Sequence, residues 1–241
     1  DSMNPIDASI LHFFNRFAQH SELMDKLIFL VTFNVLIQGG LIIAWLWWAW
    51  FRNAGTITGQ RERELVLSGA VLSIAALAAA RVLALSLPFR VRPRYTPALH
   101  FRLPTGSADL EMIHWSAFPS DHAVLFFSLA TTLFFISRKA GILLYCYVFF
   151  IVCLPRIYLG VHFPTDIVAG ALLGVGIASL SLIKRLREFI AHPLLRWHDQ
   201  SPGLFYPFFF LSTLLLSTEF ESVRTIAVAG WNVMRKSAPF R

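Results

Sequence analysis

Long apolar runs separated by short polar stretches lay out this chain. Residues 27–50, 65–88, 120–137, 141–158, 164–183 and 204–220 form six such runs. Each is close to the ~20 residues that an α-helix needs to cross the ~30 Å hydrocarbon layer of a bilayer. The expected fold is therefore all-α: a polytopic membrane helical bundle of about six transmembrane helices, in one integral membrane domain over residues 1–241. The first run closes on Trp45, Trp47, Trp48 and Trp50, an aromatic cluster of the kind that sits at membrane interfaces. The second is rich in Ala and Ser, and the fifth carries Gly170, Gly174 and Gly176; small residues let membrane helices pack closely. Pro155 predicts a kink or an end in the fourth run. Pro207 sits early in the sixth, which Glu219 and Glu221 close. Ahead of the first run, Ile6, Ile10, Phe13, Phe14 and Phe17 recur at helical spacing within residues 5–20, with polar residues opposite. This predicts a short N-terminal interfacial amphipathic helix, capped by Asn4 or Asp7.

Composition supports the membrane reading. With 56% hydrophobic residues, 15% charged residues and a mean hydropathy of +0.60, the chain has more apolar surface than a soluble domain of its length can hide. The net charge of +7 comes from basic residues in short loops between apolar runs, the usual membrane pattern, so a nucleic-acid partner is not expected. Six spans place loops 51–64, 138–140 and 184–203 on one side, with Arg52, Arg61, Arg63, Arg138, Lys139, Lys184, Arg185, Arg187 and Arg196. The positive-inside rule makes that side cytoplasmic. Residues 89–118 and 156–163 then share the opposite side. Cys146 and Cys153 lie in one helical run, about 10 Å apart along its axis, too far for a disulfide. Met3 to Asp7 has no basic stretch before an apolar core, so no signal peptide is expected.

The chemistry lies in the two loops on the non-cytoplasmic side. Pro155–Asp166 sets Arg156, His162 and Asp166 between apolar runs, with Pro164 suited to the first turn of a helix. A carboxylate four residues after a histidine can bond one imidazole nitrogen and leave the other as base, acid or nucleophile. The planar fork of Arg156 suits an oxyanion. Pro119-Ser120-Asp121-His122 opens the third run, where Ser120 can cap the helix and His122 falls in its first turn. Arg92-Pro93-Arg94 lies in the long loop before it. Two helix N-termini with arginines beside them make an anion site. Phosphoryl transfer through a covalent intermediate fits these parts. His162, oriented by Asp166, attacks phosphorus; Arg92, Arg156 and Ser120 neutralise the oxygens; His122 protonates the leaving oxygen and then activates water. This chemistry requires no metal and no cofactor, because arginines supply the charge. Arg94 and Arg102 suit phosphate binding and interfacial snorkelling equally, and His114 reads as an interfacial loop residue.

Three motifs in this order resemble the type 2 phosphatidic acid phosphatase superfamily, over about residues 60–185. Arg156 to Asp166 matches Arg-x5-His-x3-Asp, Pro119 to His122 looks like Pro-Ser-Gly-His, and Arg92-Pro93 looks like the end of Lys-x6-Arg-Pro. The chain departs from the pattern at Leu85, where the family has Lys; Arg81 or Arg90 is expected to supply the missing cation. Asp121 stands in place of Gly, either complementing the helix dipole or pairing with an arginine and tuning a diphosphate site through water or a metal ion. Pro155 stands in place of Ser. A Pro-Ser-Asp-His motif without the Lys is similar to the bacitracin-resistance type undecaprenyl pyrophosphate phosphatases. That resemblance implies a polyprenyl diphosphate substrate and a site on the outer face of a bacterial inner membrane. Phosphatidate, phosphatidylglycerophosphate and lipid A phosphatases share the same parts. A phosphotransferase and a non-catalytic lipid-binding or transport protein remain as other classes. The expected partners are a lipid phosphate or diphosphate and the bilayer; the oligomeric state stays open.

Overall fold

The computed structural model describes residues 4–108, 110 and 112–219. These form helices joined by turns and one long irregular loop, with no strand among the described residues. In chain order the helices are α1 (Pro5–Asn15), α2 (Glu22–Phe33), α3 (Leu41–Phe51), α4 (Ile57–Ser86), α5 (Asp121–Ile136), α6 (Arg138–Tyr147), α7 (Leu154–Tyr158), α8 (Pro164–Ser179), α9 (Lys184–Gln200) and α10 (Pro202–Ser217).

α5 is the axis of the bundle, with Leu125, Phe126, Leu129 and Leu133 fully buried, and α4, α6 and α8 pack around it. The approach of α8 depends on glycine. A Cβ on Gly170 would lie 2.6 Å from the Ser120 carbonyl oxygen, and one on Gly174 would lie 2.2 Å from that of Val124. Only hydrogen at these positions lets the two backbones meet. Gly176, placed with them by the sequence, faces open space.

The span count differs from the six expected. Among the described residues three helices are long and apolar enough to cross a membrane: α4, the continuous stretch Arg138–Tyr158, and Pro164–Leu182. The first predicted run makes a fourth only as a broken pair, α2 and α3, bent by 60°. At the break the Asn34 side chain accepts from the Ile37 N–H at 3.0 Å, and a wide turn over Leu36–Gly40 follows. α5 and α10 have 16 residues each, about 24 Å of helix against the ~30 Å hydrocarbon layer. Residue 220, the end of the sixth predicted run, and Glu221 lie outside the described residues.

Three further expectations are corrected. Residues 57–64, read as part of a polar loop, open α4, because the Thr56 side chain caps it by accepting from the Gly59 N–H. Residues 184–200, read as loop, form α9, whose Arg187 and His192 meet Glu64 of α4 at 3.2 and 3.4 Å. The N-terminal segment is helical but ends at Asn15, and Asn4 alone caps it. Its inward stripe is mixed, and Ser9, His12 and Arg16 are on the exposed side. Asp7, Leu11 and Asn15 are buried, while Ile6, Phe13 and Phe17 are exposed. Asn15 pairs through its side-chain amide with both backbone groups of Arg102, fixing the long loop against α1.

Candidate active site

The start of α8 is built as the sequence predicts: Pro164 takes the first helical position, where its missing N–H costs nothing. The Asp166 side chain reaches back to accept the Phe163 N–H at 2.7 Å. α5 begins beside it, because the Ser120 N–H donates to the Asp166 carbonyl at 3.1 Å. The two helix N-termini are thereby joined, and His162 lies in the loop between α7 and α8.

Asp166 does not hold the His162 ring as expected. Its Oδ2 is 3.7 Å from Nδ1, too long for a hydrogen bond. Nδ1 instead lies 2.8 Å from the Ala117 carbonyl oxygen. A carbonyl can only accept, so Nδ1 carries the proton and Nε2 keeps its lone pair. Nε2 is 3.5 Å from the Arg92 guanidinium. Burial lowers the His162 pKa from its ordinary value, partly offset by Asp166, which favours the neutral, nucleophilic ring at pH 7. The other oxygen of Asp166 takes an ion pair from Arg90.

Arg90 consequently stands behind the site and not among the groups lining it. Its guanidinium bridges Asp166 and Asp7, donates to Thr165 Oγ1 at 2.9 Å and lies over the Phe163 ring. Asp7 is fully buried and also accepts from the backbone N–H of Thr165 at 3.0 Å and from its hydroxyl at 2.6 Å. The α1 helix thus reaches the first turn of α8 through one carboxylate.

A cavity of about 260 Å³ brings together Arg81, Arg92, Asp121, His122, Arg156 and His162, with Phe33, Val35, Met112, Trp115 and Phe126 as its apolar wall. Arg92 is held by the carbonyls of Val161 at 2.8 Å and Trp115 at 3.2 Å. Burial lowers its pKa, partly offset by Asp121 and Asp166, yet an arginine stays charged at neutral pH. Arg81 lines the cavity in an ion pair with Asp121, whereas Leu85 is 87% exposed. The Ser120 hydroxyl is fully buried, has no hydrogen-bond partner among the described residues and does not cap α5. It stands at the edge of the site rather than in its lining. Arg94 turns away to the Ser107 carbonyl, and His114 is an exposed loop residue.

Two lining residues escaped the sequence reading. Gln38, from the break between α2 and α3, accepts from Arg156 at 2.6 Å and donates to the carbonyls of Val31 at 2.6 Å and Ile151 at 3.3 Å. Pro155 has no N–H for the carbonyl of Ile151, four residues earlier, and Gln38 serves it across the bundle. The turn Val148–Cys153 is correspondingly widened, and it aims Arg156 into the cavity. Glu219, just past α10, lies 2.9 Å from His122 Nδ1. A lone Gln inside an apolar run was the available signal for the first. Nothing local marks the second.

A PAP2 superfamily model matches residues 65–189, more than half of the chain. The chain belongs to the PAP2 superfamily. The match contains Arg81, Arg92, Ser120, His122, Arg156, His162 and Asp166; Asp7, Gln38 and Glu219 lie outside it. The chain is also similar to the bacitracin transport permease protein BcrC of Bacillus licheniformis, 27% identical over 176 residues that cover 72% of this chain and 78% of that protein. No solved structure matches. As a PAP2 protein with apolar helices of spanning length, this chain is a membrane protein of a lipid phosphatase family.

Proposed function

We propose that this PAP2 protein hydrolyses a lipid phosphate or diphosphate through a phosphohistidine on His162, with undecaprenyl diphosphate to undecaprenyl phosphate as the preferred reaction. The observation that carries the reading is the ring state of His162. Its Nδ1 proton is committed to Ala117, its Nε2 carries a lone pair 3.5 Å from Arg92, and Arg92, Arg156 and Arg81 share the same cavity. In the first step the Nε2 lone pair forms a bond to phosphorus as the bond to the leaving oxygen breaks, and His122 gives that oxygen a proton. In the second, His122 takes a proton from water, whose oxygen attacks phosphorus; the P–N bond breaks and inorganic phosphate leaves. The guanidiniums balance the charge of the phosphoryl oxygens throughout. Asp166 acts at one remove, fixing the loop through Phe163 and holding Arg90.

The cavity is smaller than the about 300–1,000 Å³ typical of sites that enclose a whole ligand, so it suits a head group whose chain stays in the bilayer. The Arg81–Asp121 pair beside the main arginines supports a second phosphate subsite, and the likeness to BcrC supports the polyprenyl diphosphate. α4 ends, and α5 and α8 begin, at the site; the basic residues near Ile57, Arg138 and Lys184 lie at the opposite helix ends. This supports a bacterial inner membrane with the site on the periplasmic or extracellular face.

Phosphate release from purified lipid phosphates and diphosphates tests the proposal: His162→Ala and Arg156→Ala are expected to lose turnover. The name of the relative favours a transport protein as the second reading. Lipid translocation in vesicles that survives His162→Ala, with no phosphate released by the wild type, would establish that reading instead.

A further inference from the structure

We infer that Glu219, delivered by the end of α10 from outside the PAP2 match, is a positioning residue for His122 in the reaction proposed above. The inference rests on that functional reading and adds a residue that the three motifs do not contain. His122 Nδ1 and Glu219 Oε1 are 2.9 Å apart, within ion-pair distance although not aligned as a hydrogen bond in this structure, and both side chains line the cavity. A carboxylate that accepts from Nδ1 fixes the tautomer and the ring plane, and turns Nε2 into the proton carrier for the substrate.

The surrounding charges show why such a partner matters. Arg81 from α4, Arg92 from the long loop, Arg156 from α7 and His162 from the loop before α8 all face His122, and all oppose a second proton on it. Asp121, on the helix of His122 itself, is engaged by Arg81. Glu219 is the carboxylate in contact with the ring among the described residues.

The chain also holds Glu219 deliberately. A Cβ on Gly39 would lie 2.2 Å from the Ser217 carbonyl oxygen, so the end of α10 abuts the wide turn Leu36–Gly40. Trp47 Nε1 donates to Thr213 Oγ1 at 3.1 Å, and the Glu219 N–H donates to the Leu216 carbonyl at 3.2 Å. Glu219 itself sits at φ 51°, the left-handed conformation that helix ends ordinarily give to glycine. A glutamate kept in that conformation beside a histidine points to use of its side chain.

In the first half-reaction His122 donates its Nε2 proton to the leaving oxygen as the P–O bond breaks, while Nδ1–H stays on ionised Glu219. In the second, neutral Nε2 accepts a proton from water as the P–N bond to His162 breaks, and Glu219 stabilises the resulting imidazolium.

The test uses the full chain in detergent with two probes, octyl phosphate and p-nitrophenyl phosphate. Nitrophenolate leaves without help from an acid; an alkoxide does not. Glu219→Gln is expected to lower kcat/KM for octyl phosphate by about 10- to 100-fold, with KM little changed, and to lower kcat/KM for p-nitrophenyl phosphate by less than about threefold. Glu219→Asp should recover part of the loss. In a His122→Ala background the Gln variant should lose nothing further. Equal losses on both probes would assign Glu219 a structural role and overturn the inference. Faster turnover or a lower KM in Glu219→Gln would overturn it too, by showing a carboxylate that competes with phosphate. Wild-type activity that His162→Ala abolishes but Glu219→Gln leaves intact sinks this inference alone. No phosphate release by the wild type from either probe sinks the functional reading with it.

Discussion

Replacing Gln38 tests how the broken first span serves the site. Gln38 is buried and joins three elements: it accepts from Arg156, donates to Val31 at the end of α2, and donates to Ile151 ahead of Pro155. Gln38→Leu keeps the volume and removes all three bonds. A hydrogen bond to a charged group is worth about 1.5–3 kcal/mol, and a buried acceptor left unsatisfied costs about 1–3 kcal/mol. Arg156 keeps its bond to the Val152 carbonyl at 2.7 Å, so its charge stays near the cavity while its orientation loosens. If about 1.5–2 kcal/mol of that restraint is expressed in the transition state, kcat/KM falls about 10- to 30-fold. Thermal unfolding in detergent, followed by tryptophan fluorescence, should show a loss of stability alongside it. Gln38→Glu keeps a partner for Arg156 but has no N–H for the Val31 and Ile151 carbonyls, so it too should lose stability. Because its carboxylate also cancels the charge that phosphate needs, activity should fall further than in the Leu variant. A Gln38→Leu protein with wild-type kcat/KM and unfolding, or a Gln38→Glu protein as active as the wild type, would refute this reasoning.

Asp7→Ala removes the buried partner of Arg90 and both Thr165 bonds, and a melting-temperature comparison should show destabilisation of about 2–4 kcal/mol, discounted because Arg90 is partly exposed. Arg81→Leu is expected to raise KM more for a prenyl diphosphate than for the monophosphate, and Asp121→Asn, which frees Arg81, to lower it; steady-state kinetics on the two substrates decide this. Because burial lowers the His162 pKa, its nucleophilic form should persist below the ordinary histidine pKa of about 6.5 and be lost as pH falls through the folded value. The acid limb of kcat/KM should therefore lie below pH 6.5. Stability runs the same way, since below about pH 6.5 the unfolded chain binds the proton more readily. An acid limb at or above pH 6.5 would contradict the assignment.

The apolar runs were legible because helical spans require length and composition that no other element needs; α6–α7 and α8 fall close to their expected ranges, while α4 starts at Ile57, inside the stretch read as loop. The stretch 184–203 was misread because Pro193 looks like a break. Tertiary pairing of Arg187 and His192 with Glu64 instead carries α9 past it. The motif residues were legible for a similar reason: an Arg, a His and an Asp between apolar runs need a polar site. Their partners were not. The four-residue spacing of His162 and Asp166 suggested a direct bond, but Pro164 starts the helix between them. The carboxylate is drawn to the Phe163 N–H, and the imidazole is left to Ala117, a carbonyl with no sequence signature.

The pairings define a division of labour that spacing alone cannot express. Buried or half-buried ionisable groups persist only with partners. Here Asp7 answers Arg90, Gln38 answers Arg156, Asp121 answers Arg81 and Glu219 lies against His122. Three of these four partners lie outside residues 65–189. They come from α1, from the break between α2 and α3, and from the end of α10, elements that flank the superfamily core in sequence and close around it in space. Gln38 is neutral, so it fixes Arg156 without consuming its charge, as an oxyanion-binding arginine requires. Asp7 is charged and consumes that of Arg90, which is consistent with Arg90 supporting Asp166 and not touching phosphate. For Arg156 and Arg90 the chemical type of the partner thus matches the proposed roles, one guanidinium turned to the cavity and the other to the frame. Variants of the flanking residues should accordingly alter geometry and proton transfer at the site while leaving its three motifs intact.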